Sequence, residues 1–139
     1  MQPRAAENRQ LVTRYFELLN EGHFSSAHEI ISADVVFVGP RAPEGIRGLH
    51  AFKEFIASLR HDSPDLRFEE VESLAEADGV ASVFTMTRTH HSQQGQARRV
   101  VTEGMDLFHI ADGRIWRINS YFDRLALLIE LEMIPALQL

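Results

Sequence analysis

The sequence predicts an α+β domain in which helices cover one side of an antiparallel sheet. Three observations predict it. Apolar residues recur at helical spacing in the first half of the chain. Long runs rich in β-branched and aromatic residues fill the second half. Asp-Gly pairs, Asp78-Gly79 and Asp112-Gly113, stand between those runs. Asp112-Gly113 between apolar runs marks a hairpin, because Gly takes the positive φ that the turn needs, and the two preceding strands join near Asp78-Gly79. Helices segregated from an antiparallel sheet define the α+β class.

Taken in order, Arg4–Asn20 reads as a helix, with Leu11, Tyr15, Leu18 and Leu19 on one stripe, widened by Val12 and Phe16. Gly22 supplies a stop. Ser26 and Glu29 have capping-box spacing, which predicts a second helix over Ser26–Ser32. Val35-Val36-Phe37-Val38 is a short buried strand ended by Gly39-Pro40. Arg41–Arg47, with Pro43 and Gly45, reads as a loop. A third helix covers about Leu49–Arg60, with Leu49, Phe52, Phe55, Ile56 and Leu59 on one face, and Ser63-Pro64 breaks it. Four strands follow in succession: Leu66–Ala75, Val80–His90, Val100–Ile110 and Arg114–Phe122. The leucines after Asp123 suit a short helix that ends before Pro135. A strongly bent sheet closing over helices would enclose a pocket.

Composition narrows the function. The 139 residues make one domain with room for a sizeable core. A formal net charge of −6 and the lack of a basic stripe argue against nucleic-acid binding. The chain has no cysteine, which excludes disulfides, thiolate catalysis and cysteine-ligated metal. His90 and His91 are adjacent on a strand and so point to opposite faces, and no helical His–x–x–x–His pair exists. Neither a metal nor an organic cofactor is expected. No apolar run is long enough for a membrane span, and MQPRAAENRQ lacks an apolar signal core, so a cytoplasmic location is expected. Apolar residues on both faces of Val100–Phe122 need cover on both faces. Helices cover only one, which predicts a homodimer through the outer face.

Glu103 and Asp106 sit among Met105, Leu107 and Phe108 on the penultimate strand, and Asp123 closes the last one. Acids on apolar strands are costly unless they are used. The chain further resembles the SnoaL-like polyketide cyclases and ketosteroid isomerases, which share the cone-shaped fold of nuclear transport factor 2. The resemblance rests on Tyr15-Phe16-Glu17-Leu18-Leu19-Asn20-Glu21-Gly22 and Ile46-Arg47-Gly48-Leu49-His50-Ala51-Phe52. It continues in Pro64-Asp65-Leu66-Arg67-Phe68, Asp78-Gly79-Val80-Ala81 and Thr89-His90, and in Ala111-Asp112-Gly113-Arg114-Ile115 running on to Asp123. It implies a cone-shaped curved antiparallel sheet wrapped around three helices. It also implies a small, apolar, oxygenated ligand in the cone, with isomerase, cyclase or hydrolase chemistry. The same fold hosts non-catalytic binders.

By that resemblance Tyr15 stands where isomerases place an oxyanion-hole tyrosine, although its ring also belongs to the helix stripe. Asp106 stands at the second oxyanion donor, a neutral aspartic acid. That neutral-acid role is what the resemblance to the ketosteroid isomerases implies. Burial of Asp106 would raise its pKa, whereas the opposite strand phase would send it to solvent or to an interface arginine. Asp123 matches the acid/base aspartate of the cyclases, and equally suits an N-cap for the tail helix. His90 is positioned to relay protons or to end a strand near solvent. Phe16, Phe84, Phe108, Trp116, Asn119 and Phe122 are assigned to the ligand pocket, with ordinary core packing as the alternative for the aromatics. The sequence departs from the isomerases at Gly39, where their general base precedes Pro40. It departs from the cyclases at Asn119, where they carry tryptophan. Arg88, Asp106 and Asp123 supply the residue types of the Asp–Arg–Asp set used by limonene-type epoxide hydrolases.

Overall fold

The helical stripe at the start of the chain becomes α1, Pro3–Glu21, which buries Val12, Tyr15, Phe16, Leu18 and Leu19. The structure, a computed structural model, describes residues 3–135. The remaining elements are β1 (Ile31–Gly39), β2 (Ala42–Arg47), α2 (Leu49–Asp62), β3 (Arg67–Glu76), β4 (Gly79–His91), β5 (Ala97–Ala111), β6 (Arg114–Phe122) and α3 (Arg124–Glu130). One curved six-stranded sheet has the order β2-β1-β6-β5-β4-β3. β1 runs parallel to β6, and every other pairing is antiparallel. α1 packs on β3 and β4, and α2 on β1, so both helices occupy the concave side.

The structure corrects the sequence reading at two places. The expected helix over Ser26–Ser32 is a single 3-10 turn, Ala27–Glu29, and Ser26 makes no side-chain cap. β1 begins at Ile31, which is buried opposite Ile115 of β6, so long-range pairing overrides a local capping signal. The expected loop at Arg41–Arg47 contains β2, paired through Val36↔Arg47 and Phe37↔Ile46. β2 is an edge strand, and edges tolerate Pro43 because its missing N–H faces no neighbour.

The core is aromatic. Tyr15, Phe16, Phe52, Phe84 and Phe108 are buried between the concave face and the helices. Two glycines have identifiable tasks. Gly113 (φ 73°) follows Asp112 (φ 54°) in the two-residue turn from β5 to β6, where both central residues need positive φ. At Gly104 a Cβ would lie 2.8 Å from Phe84 Cζ and 2.9 Å from the Tyr121 carbonyl oxygen, so only glycine lets the Phe84 ring cross β5.

Candidate active site

β5 alternates cleanly. Thr102, Gly104, Asp106, Phe108 and Ile110 face the cone, while Val101, Glu103 and Met105 face out. Asp106 therefore enters the apolar interior and is 4% exposed. It lines a narrow cavity of about 50 Å³ together with Tyr15, Phe84, Arg88, Ser120 and Phe122. That volume holds only a few waters. Apart from Arg41, its remaining walls are apolar, including Phe37, Phe55, Leu59 and Phe68.

Asp106 Oδ1 is buried and has no hydrogen-bond partner among the described residues. Burial pushes the Asp106 carboxyl up to about 7, and only the hydroxyl of Ser120, its cross-strand neighbour, pulls the other way. A buried polar atom without a partner is costly and calls for an explanation. Tyr15 is held in place by edge-on rings, Phe108 at 5.1 Å and Phe16 at 5.3 Å between centroids. Burial, and then the nearby Asp106 charge, push its phenol well above the usual range, so it stays protonated and able to donate.

Arg41, Arg88 and Phe122 separate this inner chamber from an outer vestibule of about 500 Å³, because they line both. Leu127 and Leu128 of α3 form part of the vestibule wall, with His90 and His91 beside them. His90 approaches Glu132 Oε2 at 3.6 Å through Nε2, which is buried and makes no hydrogen bond among the described residues. His90 therefore belongs to the vestibule and does not line the inner chamber with Asp106.

Several assigned residues lie elsewhere. Asp123 is exposed and caps α3, its Oδ1 accepting from the Ala126 N–H at 2.9 Å. It lines neither chamber, because its carboxylate is committed to an otherwise orphan helix donor. Arg88 and Asp106 share the inner chamber, but the Asp–Arg–Asp set does not assemble there. Trp116 is 43% exposed on the convex face and packs at a tilt against His109, with ring centroids 5.3 Å apart. It is the extra residue of a β-bulge: His109 pairs with Arg117 and Ile110 with Ile115, so the bulge reverses the strand phase. Asn119 also leaves the pocket, its Oδ1 accepting from Arg117 Nε at 3.0 Å. Phe16 and Phe108 are core braces for Tyr15, while Phe84 and Phe122 do line the chamber.

Ser120 and Arg41 are wall residues that sequence reasoning missed, while Gly39, read as the vacant slot of the isomerase base, and Arg88, read as part of an Asp–Arg–Asp set, also line the wall. The signal for Ser120 was its alternation with Ile118 and Phe122. A Cβ on Gly39 would meet Ser120 Cβ at 3.1 Å, so a larger residue there would crowd the chamber. Among the described residues, no three His, Asp or Glu side chains converge as metal ligands.

A profile of the SnoaL-like domain matches residues 12–118. The chain belongs to the SnoaL-like family. Among curated proteins nothing matches the sequence. A protein from Jannaschia sp. CCS1 described as a SnoaL-like polyketide cyclase superposes with a TM-score of 0.81 at 19% identity, covering 97% of this chain and 98% of that one. AclR from Streptomyces galilaeus, described as a hydroxylase, gives 0.77 at 22% identity, over 96% and 86% of the two chains. A phenazine biosynthesis-related protein from Pseudomonas aeruginosa gives 0.76 at 16% identity, over 98% and 91%. At these identities the likeness shows the shared cone fold, an α+β curved sheet on helices. No helix of the described residues is long and apolar enough to cross a membrane.

Proposed function

We propose that this SnoaL-like protein is an acid/base enzyme acting on a small, mainly apolar, oxygenated molecule, with its reacting atoms in the inner chamber. One observation carries the proposal. A buried carboxyl oxygen of Asp106, without a partner among the described residues, lines the same chamber as a phenol that stays protonated. A carboxyl at about 7 is poised to take and return a proton near neutral pH.

In this scheme the ionised Asp106 removes a proton from the carbon next to a substrate carbonyl. The electron pair moves onto the carbonyl oxygen, and the Tyr15 hydroxyl donates a hydrogen bond to the developing oxyanion. Asp106 then returns the proton to a different atom. For isomerisation that atom is a carbon of the conjugated system. For ring closure the enolate first attacks an internal carbonyl, and the new alkoxide takes the proton. The apolar walls keep water from quenching the enolate.

The test is α-proton exchange of cyclic ketone probes in D2O, followed by NMR. Asp106→Asn should lower exchange by roughly 10²–10⁴-fold. Tyr15→Phe should lower it by roughly 10²–10³-fold. Exchange at the uncatalysed rate in the native protein, or unchanged exchange in Asp106→Asn, overturns the proposal. The alternative is a ligand-binding module without turnover. Gly39 favours it, because the inner chamber then holds a single carboxyl and little free volume.

The proposal includes a homodimer and a cytoplasmic location. The convex face supports the first, since Val101, Met105, Trp116 and Tyr121 stand exposed on β5 and β6. The cysteine-free composition fits the second. A strictly monomeric species by light scattering at micromolar concentration removes the dimer.

A further inference from the structure

The wall between the two chambers holds positive charge that the protein itself leaves largely unused. Arg88 is half-buried, and its hydrogen bond goes from Nη1 to the neutral Ser63 hydroxyl at 3.3 Å. It forms no salt bridge among the described residues. Burial and the neighbouring Arg41 guanidinium both disfavour its charged form, and only Asp65 acts in its favour. The Asp65 carboxylate, however, is committed to the Thr89 N–H and hydroxyl. Arg41 lies 3.9 Å from Asp62, a loose and exposed contact. Arg124, His90 and His91 face the same vestibule, where Asp62 is the carboxylate among the lining residues. His90 has Glu132 at 3.6 Å. Nor are the arginines spent on Asp106, whose carboxyl is held up by burial with no cation offsetting it.

Two guanidiniums side by side at the mouth of an apolar chamber repel one another unless an anion joins them. In a chain of net charge −6 that arrangement is not a general surface property. We infer that the ligand carries a carboxylate, bound by Arg88 and Arg41 where the chambers meet, with its reacting atoms toward Tyr15 and Asp106 and the bulk of its apolar part in the vestibule against Phe122, Leu127 and Leu128. A planar guanidinium and a carboxylate make two parallel hydrogen bonds, a geometry that lysine or histidine does not reproduce. A single negative charge fits better than a phosphate dianion, because Asp62 stands on the same wall and Asp106 lies at the inner end. This assignment rests on the acid/base proposal for the position of the reacting end, but its binding test is independent of turnover.

The experiment measures binding of 2-naphthoate, 2-naphthamide and 2-naphthyl phosphate by calorimetry at low and high salt. The native protein should bind the carboxylate at least about tenfold more tightly than the amide. The preference should shrink as salt rises, since the site is partly open to solvent. Arg88→Gln and Arg41→Gln should each erode the preference while leaving amide affinity in place, which also reports that the fold is intact. Asp106→Asn should keep the preference even where it abolishes proton exchange. Equal affinity for carboxylate and amide, including undetectable binding of both, overturns the assignment, as does an unchanged preference in both arginine variants. Tighter binding of the phosphate overturns the choice of carboxylate. Loss of exchange in Asp106→Asn alongside any of these results leaves the acid/base proposal standing and removes only this one.

Discussion

Met105 and Asp106 are neighbours on β5 with opposite fates. The apolar side chain points outward and is 39% exposed, while the carboxyl points inward and is 4% exposed. The same inversion runs along the hairpin. Its convex face displays Val101, Trp116 and Tyr121, and its concave face hides Asp106, Thr102 and Ser120 among phenylalanines. Hydrophobicity alone would have chosen the other phase at Met105 and Asp106. The phase is instead set by Val100, Phe108 and Ile110, which share the parity of Asp106 and whose burial outweighs one carboxyl. The comparison teaches that a strand face is decided collectively, so a residue can be carried inward at a cost that its neighbours outweigh.

The sharpest way to break the comparison is to truncate one residue on each face. Phe108→Ala should destabilise by about 3–5 kcal/mol, as for a fully buried ring. Met105→Ala should change stability by no more than about 0.5 kcal/mol in dilute protein. Urea unfolding at two protein concentrations checks both. A cost at Met105 that grows with concentration would mean the convex face is covered by a second copy.

The next effect is the pH dependence carried by Asp106. Its folded pKa of about 7 exceeds the unfolded value near 4, so the folded state binds the proton more tightly. The resulting stability is fully present below the unfolded pKa and is lost as pH rises through the folded one. The loss falls between about pH 4 and pH 7 and is on the order of 4 kcal/mol. Asp106→Asn should flatten that part of the profile and be at least as stable as the native protein at neutral pH. Thermal melts across pH check this, and a large loss in the variant would point to a structural ion pair instead.

The smallest effect separates the two aspartates. Asp123→Ala should cost about 1 kcal/mol through its lost cap on α3. Asp123→Ser, which keeps a capping oxygen, should recover most of it. Both should retain α-proton exchange, in contrast to Asp106→Asn. Urea melts and the exchange assay decide, and a large loss of exchange in Asp123→Ser would return Asp123 to the chemistry.

By itself the sequence determined most of the elements and their class. The α1 stripe, the α2 stripe, the Asp-Gly turn at Asp112-Gly113 and the four long strands follow from local periodicity and turn chemistry. These are properties of neighbouring residues, and a sequence displays neighbours directly. It also marked Asp106, because an acid on an apolar strand is visible without a fold, whereas Tyr15 was singled out only by the family resemblance. Only the tertiary structure decided which face of each strand turns inward. The bulge at Trp116 reverses phase through pairing with a distant strand, and β1 acquires its start from Ile115 rather than from its own capping signals. The gathering of Arg41, Arg88 and Ser120 around Asp106 joins residues from separate strands and a turn. Such convergence depends on sheet order and curvature, which arise from contacts between segments far apart in the chain.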